Sequence, residues 1–190
     1  MSTRTAPWTG SDRRRREGQA LVEFAMVAPI LFLMLFSVIQ LGLLFGAQNG
    51  FVNGVRETAR RASTYRVNEA TFVDGSLTAS ICDTIATELA NRLSASMPGY
   101  DGATRLSRTI RYRWIANPDA VPTSYVPTYF LSIEIDATYD HPLYVPLVDW
   151  FFDGLDATPG DHSLTMTASE EMRIENPPQA PPGKTEEVCP

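Results

Sequence analysis

The sequence predicts an α+β fold: an N-terminal transmembrane helix that extends out of the membrane, a second amphipathic helix, and a small antiparallel sheet of about three strands. Three observations carry this. From Phe24 to Phe45, 18 of 22 residues are apolar and none is charged. Leu77, Ile81, Ile85, Leu89 and Leu93 then recur every four residues, which aligns them on one helix face. From Ile110 onward the apolar period drops to two, the signature of half-buried strands.

The first run is long enough to cross a bilayer. As a helix, the segment from Phe24 to Phe45 spans about 33 Å, against about 30 Å of hydrocarbon. Pro29 predicts a mild kink near its start, and Ser37, Gln40 and Gly42 are the other non-apolar positions. Arg4 and the run Arg13–Arg16 precede the span and should stay cytoplasmic, although Arg56, Arg60 and Arg61 follow it. A secretory signal peptide would have a shorter apolar region, about 7–15 residues, ending in a small-x-small site. Leu44-Phe45-Gly46-Ala47 does not supply one. Phe51, Val52, Val55, Ala59 and Ala62 continue the helical spacing, so the helix should leave the bilayer and run to about Tyr65. Gly50 and Gly54 should loosen it there, at about 1 kcal/mol each relative to alanine.

The second helix is expected from Leu77 to about Met97, where Pro98-Gly99 ends it. Ile110, Tyr112 and Trp114 alternate with arginines in the first strand. Leu131, Ile133, Ile135, Ala137 and Tyr139 form the cleanest alternation in the second. Leu164, Met166 and Ala168 begin the third, which can extend to Ile174. Prolines at 118, 122, 127, 142 and 146 punctuate the connections. The segment 176–190 has five prolines in 15 residues and reads as an extended, mobile tail.

Composition narrows the function. A formal net charge of −6 argues against a nucleic-acid binder, which would carry a basic face. The sequence shows no nucleophile elbow, phosphate-binding glycine loop or H-E-x-x-H helix, so no enzyme, cofactor or metal site is expected. His141 and His162 each follow an aspartate and read as surface loop residues. The loop Asp149–Asp161 gathers four aspartates, but not at the spacing of a calcium loop, so it reads as a solvated acidic turn. Within it Trp150, Phe151 and Phe152 cannot all face one core; either one is exposed for a partner or they cap the sheet end or touch the membrane. Cys82 and Cys189 both fall outside the membrane and allow one internal disulfide. The alternative is a buried Cys82 thiol with Cys189 free or bonded between molecules.

Glu23 does not suit a plain anchor. It sits against Phe24 at the membrane edge, where a carboxylate costs a few kcal/mol without a partner or water. Snorkelling to the headgroups is one solution. The other is a cation: a cut after Gly18 would free an α-amino group on Gln19, one helical i,i+4 step from Glu23. This stretch, Gly18-Gln19-Ala20-Leu21-Val22-Glu23-Phe24-Ala25 behind a basic leader, resembles a prepilin processing signal. It is similar to the start of TadE-like proteins, minor pseudopilins of the tight-adherence (Tad, Flp-type) pilus system. The resemblance continues into Gly50–Arg61 and returns weakly at Leu164–Glu175.

That resemblance implies a pilin-like fold and four segments: a leader at 1–18, the transmembrane helix and its extension at 19–66, a periplasmic α+β domain at 67–175, and the tail at 176–190. It implies cleavage by a prepilin peptidase after Gly18, and pairing of Glu23 with an N-terminal amine. The implied partners are that peptidase, other pilins or pseudopilins, and the cytoplasmic membrane, with the C-terminal domain periplasmic or extracellular. The rival reading is an uncleaved single-span protein whose periplasmic domain binds something unrelated to pili.

Overall fold

The structure is a computed structural model that describes residues 11–65, 72–73, 76–118, 129–145, 149–154, 160–174 and 185–189. Its dominant element is one 52-residue helix, α1 (Ser11–Ala62), with Pro29 inside it. The helix has two regimes. From Gly18 to Ile39 it is exposed, apart from Ala28 and the half-buried Phe36 and Ser37. From Gln40 onward one face is buried: Gln40, Leu44, Ala47, Phe51, Val55, Thr58, Ala59 and Ala62 recur at spacings of three and four and carry the rest of the fold. Protein contact therefore begins five residues before the expected end of the span at Phe45.

A two-strand hairpin, β1 (Phe72–Val73) and β2 (Ser76–Leu77), precedes α2 (Ala79–Ser96). Leu77 belongs to β2 and pairs with Phe72, so the second helix starts later than its apolar stripe suggests. Thr78, in extended conformation, sits at the N-cap. Ile85, Leu89 and Leu93 face α1, with Cys82 and Ala86 buried beside them.

The α1–α2 seam is unusually close, and glycine is the reason. A Cβ on Gly50 would collide with the Ser96 carbonyl oxygen and lie 2.8 Å from Met97 Cα. One on Gly54 would lie 2.7 Å from Leu93 Cδ2. The Ser96 hydroxyl donates to the Gly50 carbonyl at 3.0 Å across the seam. Gly50 and Gly54, expected to loosen the helix, instead let α2 come close: its backbone meets Gly50, and its Leu93 side chain meets Gly54. Arg61 and Arg92 then grip Glu88 at 2.6 and 2.8 Å, and Arg56 reaches Glu170 at 2.9 Å.

A 3₁₀ turn (Ala103–Arg105) leads into β3 (Leu106–Ala116), followed by β4 (Tyr129–Pro142), the one-turn α3 (Asp149–Asp153), β5 (Ser163–Arg173) and β6 (Glu186–Val188). The main sheet is antiparallel, in the order β5-β4-β3-β6. Leu131, Ile133, Ile135, Ala137 and Tyr139 on the central β4 are all buried against the helices, matching their alternation. The sheet has four strands because part of the tail joins it. Glu186, Glu187 and Val188 pair with Arg113, Tyr112 and Arg111, and the Trp114 N–H donates to the Thr185 carbonyl at 2.9 Å. Three residues flanked by prolines carry no alternation, so this strand exists only because β3 offers an open edge. The tail is anchored where mobility was expected, and residues 175–184 lie outside the described residues.

Candidate processing and helix-docking site

Gly18 lies inside α1, not in a linker before it. A Cβ there would meet no atom within 4 Å, so the position is open on its side-chain side. Glycine is the weakest helix former after proline, and here it leaves the backbone accessible and easily unwound. One turn on, the Gln19 side-chain amide donates to Glu23 Oε1 at 3.0 Å. The uncut chain thus already answers Glu23 from residue 19, whose main-chain nitrogen becomes an amine if the preceding bond is cut. Both side chains are exposed, as is Phe24, which opens the apolar surface.

Gln40 does more than tolerate its apolar setting. Fully buried, its Oε1 accepts the backbone N–H groups of Tyr144 and Val145 at 3.3 and 3.2 Å. These residues follow β4, so one amide ties the sheet to the helix at the level where α1 meets the domain. Sequence reasoning missed this role; a lone amide within an otherwise apolar helix was the available signal. The Tyr144 hydroxyl continues the lock by donating to the Gly99 carbonyl at 2.9 Å.

His141 is a correction. It lies on β4, fully buried, rather than in a surface loop, because the alternation of the strand runs past Tyr139 to include it. Its ring packs edge-on to Tyr144 at 5.8 Å, and neither ring nitrogen has a protein partner among the described residues. Burial first, and the Arg105 charge second, hold its pKa below the ordinary 6.5. The unfolded chain therefore takes up the proton first as pH falls. The neutral ring's contribution to stability is complete above about pH 6.5 and is lost as pH drops through the folded pKa, with a slope of at most about 1.4 kcal/mol per pH unit. Glu57 and Glu88, lowered chiefly by hydrogen bonds from Arg60 and Arg61, act only below the usual carboxylate range of about 4.5. Unfolding midpoints between pH 7 and 5 should fall for the wild type and stay flatter for His141→Leu; parallel curves would refute the assignment.

The acidic segment is not a solvated loop throughout. Its first residues form α3, and Asp153 is buried, accepting the Gly160 and His162 N–H groups at 2.6 and 2.8 Å. Asp153 closes the loop back on itself. Asp149 faces His162 Nδ1 at 3.1 Å, and among the described residues no three His, Cys, Asp or Glu side chains group as metal ligands. Phe152 packs half-buried against the core; the side chains of Trp150 and Phe151 and residue Asp156 lie outside the described residues. Cys82 and Cys189 form a disulfide that fastens the tail to α2, with Cα atoms 5.7 Å apart and a sequence separation of 107.

Among the described residues, α1 from Gly18 is the one helix long and apolar enough to cross a membrane, with a mean hydropathy of 2.4 over its best window. Residues 18–60 match the family model described as TadE-like protein. The match begins at Gly18 itself and ends before α2. No curated protein and no solved structure matches the chain.

Proposed function

We propose, on the premise of this TadE-like anchor helix, that the chain is a minor pseudopilin required to assemble an adhesive Tad/Flp-type pilus. A prepilin peptidase cuts after Gly18, and the mature helix then joins the helices of other pilins or pseudopilins in the membrane. The role is structural, with no catalytic residue. The arrangement at residues 18–24 carries the reading: an open glycine, then a glutamate with residue 19 already in hydrogen-bond reach, at the head of a bare apolar helix.

The orientation rests on charge. Arg13–Arg16 stand before the apolar span of α1, whereas Arg56, Arg60 and Arg61 beyond that span are each engaged by a glutamate, at 2.9, 2.7 and 2.6 Å. The basic leader therefore stays cytoplasmic and the folded domain is periplasmic or extracellular.

Intact-mass measurement after co-expression with a prepilin peptidase tests the proposal. Loss of residues 1–18 is expected; they hold five arginines, one aspartate and one glutamate, a net of +3, so the chain moves from −6 to −9. Because position 18 is sterically open, a bulky residue there should leave the fold intact and block the cut, which assigns the effect to the peptidase. Retention of residues 1–18 beside an active peptidase overturns the reading in favour of an uncleaved membrane protein. Glu23→Gln should still be cut but assemble few or no pili, since an amide cannot balance an amine in a low-dielectric setting. Normal piliation in that strain would remove the charge pairing from the account.

A further inference from the structure

Where α1 meets the sheet, a cleft of about 240 Å³ opens between Leu41, Leu44 and Phe45 on the helix and Phe152, Leu164 and Met166 on the domain. Among the described residues Gln48 is the only other one lining it, and none of these side chains carries a charge. Such a space exceeds the roughly 150 Å³ apolar cavity that stays dry and accepts a benzene-sized guest. Its helical wall is not sealed by protein: Phe45 is 67% and Leu41 40% exposed, and both continue the bare surface that runs up α1 from Leu21.

Depth identifies what meets that wall. Arg16 marks the headgroup level on the entry side, and the apolar span begins at Phe24. Along the helix axis Leu41 then lies about 26 Å and Gln48 about 36 Å from Phe24. A bilayer is about 30 Å thick in hydrocarbon and about 40–45 Å including headgroups. The cleft thus stands at the acyl–headgroup boundary of the far leaflet, and its exposed wall is the part of α1 already facing lipid. Amphipathic surfaces bury about 5–10 Å into this zone.

We infer that the cleft seats a phospholipid acyl chain of the leaflet through which α1 emerges, so that the domain rests on the bilayer and does not stand off on a helical stalk. The recognition is apolar. With no cation among the described lining residues, the headgroup is not read, and occupancy should not depend on anionic lipid. The inference needs α1 to span a membrane and is independent of cleavage at Gly18 and of any pilus role.

The test uses the full-length protein reconstituted in vesicles of phosphatidylethanolamine, with and without phosphatidylglycerol. A benzophenone amino acid is placed at Phe152 and, in a second sample, at Ile115, which is exposed and pairs with Phe130 near the start of β4, remote from His141 at its other end. Illumination should add the mass of one phospholipid at position 152, equally in both vesicle types, and none at 115. Formation of the Cys82–Cys189 bond reports that each sample has folded. If the probe at 152 prevents folding, position 164 on the same wall replaces it with the same expectation. A crosslink between two copies at the cleft, or folded protein with no lipid adduct there, overturns the inference, as does an adduct that requires phosphatidylglycerol.

Discussion

Gly50→Ala is expected to destabilise the protein by about 1–3 kcal/mol or more, reversing the usual effect of that substitution in a helix. Elsewhere alanine gains about 1 kcal/mol over glycine, because it has less conformational freedom to lose. At position 50 the new methyl group would occupy the place of the Ser96 carbonyl oxygen and press on Met97 Cα. Both are backbone, so no rotamer change relieves the overlap, and α1 and α2 must separate. Separation also breaks the bond from the Ser96 hydroxyl to the Gly50 carbonyl and exposes Leu89 and Leu93. Gly42→Ala is the internal control, since a Cβ there meets no atom within 4 Å. Thermal unfolding in detergent should rank Gly50→Ala well below the wild type and Gly42→Ala at or slightly above it. Equal midpoints for the two variants would show that the seam is looser than described.

The second large effect is expected from Cys189→Ser, which opens the disulfide. Removing a native disulfide costs about 2–5 kcal/mol, and a loop of about 100 residues lies near the top of that range in the chain-entropy account. Here the bond closes 107 residues and is covalently continuous with β6, so its loss acts twice. The unfolded chain gains freedom, and a three-residue strand is left to hold the edge of β3 without its covalent link to α2. Denaturant midpoints should fall for the variant and for reduced wild-type protein alike. Hydrogen exchange should rise at Trp114, whose N–H is bonded to Thr185, and at residue 189, whose N–H donates to the Ile110 carbonyl at 2.8 Å. Unchanged midpoints together with unchanged exchange at these amides would mean that the tail is held without the bond.

These two expectations come from opposite sides of what a sequence can express. The long helix, the second helix and the strands β3, β4 and β5 were legible because each repeats a local period over many residues: four for Ile81 to Leu93, two for Leu131 to Tyr139. The candidate processing stretch at Gly18–Phe24 was legible as a local pattern. Its parts are neighbours in the chain, and helical geometry alone brings residue 19 to Glu23. The sequence by itself therefore determined the α+β class and the apolar anchor.

Tertiary structure decided the roles of residues whose partners are distant in the chain. Gly50 could be read as a weak point until Ser96 was placed against it, and Gln40 as a tolerated amide until the chain after β4 returned to it. His141 differs from His162 only by lying on a central strand that two neighbours and the helices cover. β6 has no periodicity of its own; the unpaired edge of β3 and the proximity of Cys82 call it into being. Local periods record which face of an element is buried. What that face meets depends on contacts 46 to 107 residues apart, such as Ser96 with Gly50 and Cys82 with Cys189, and these carry no repeating signal in the chain.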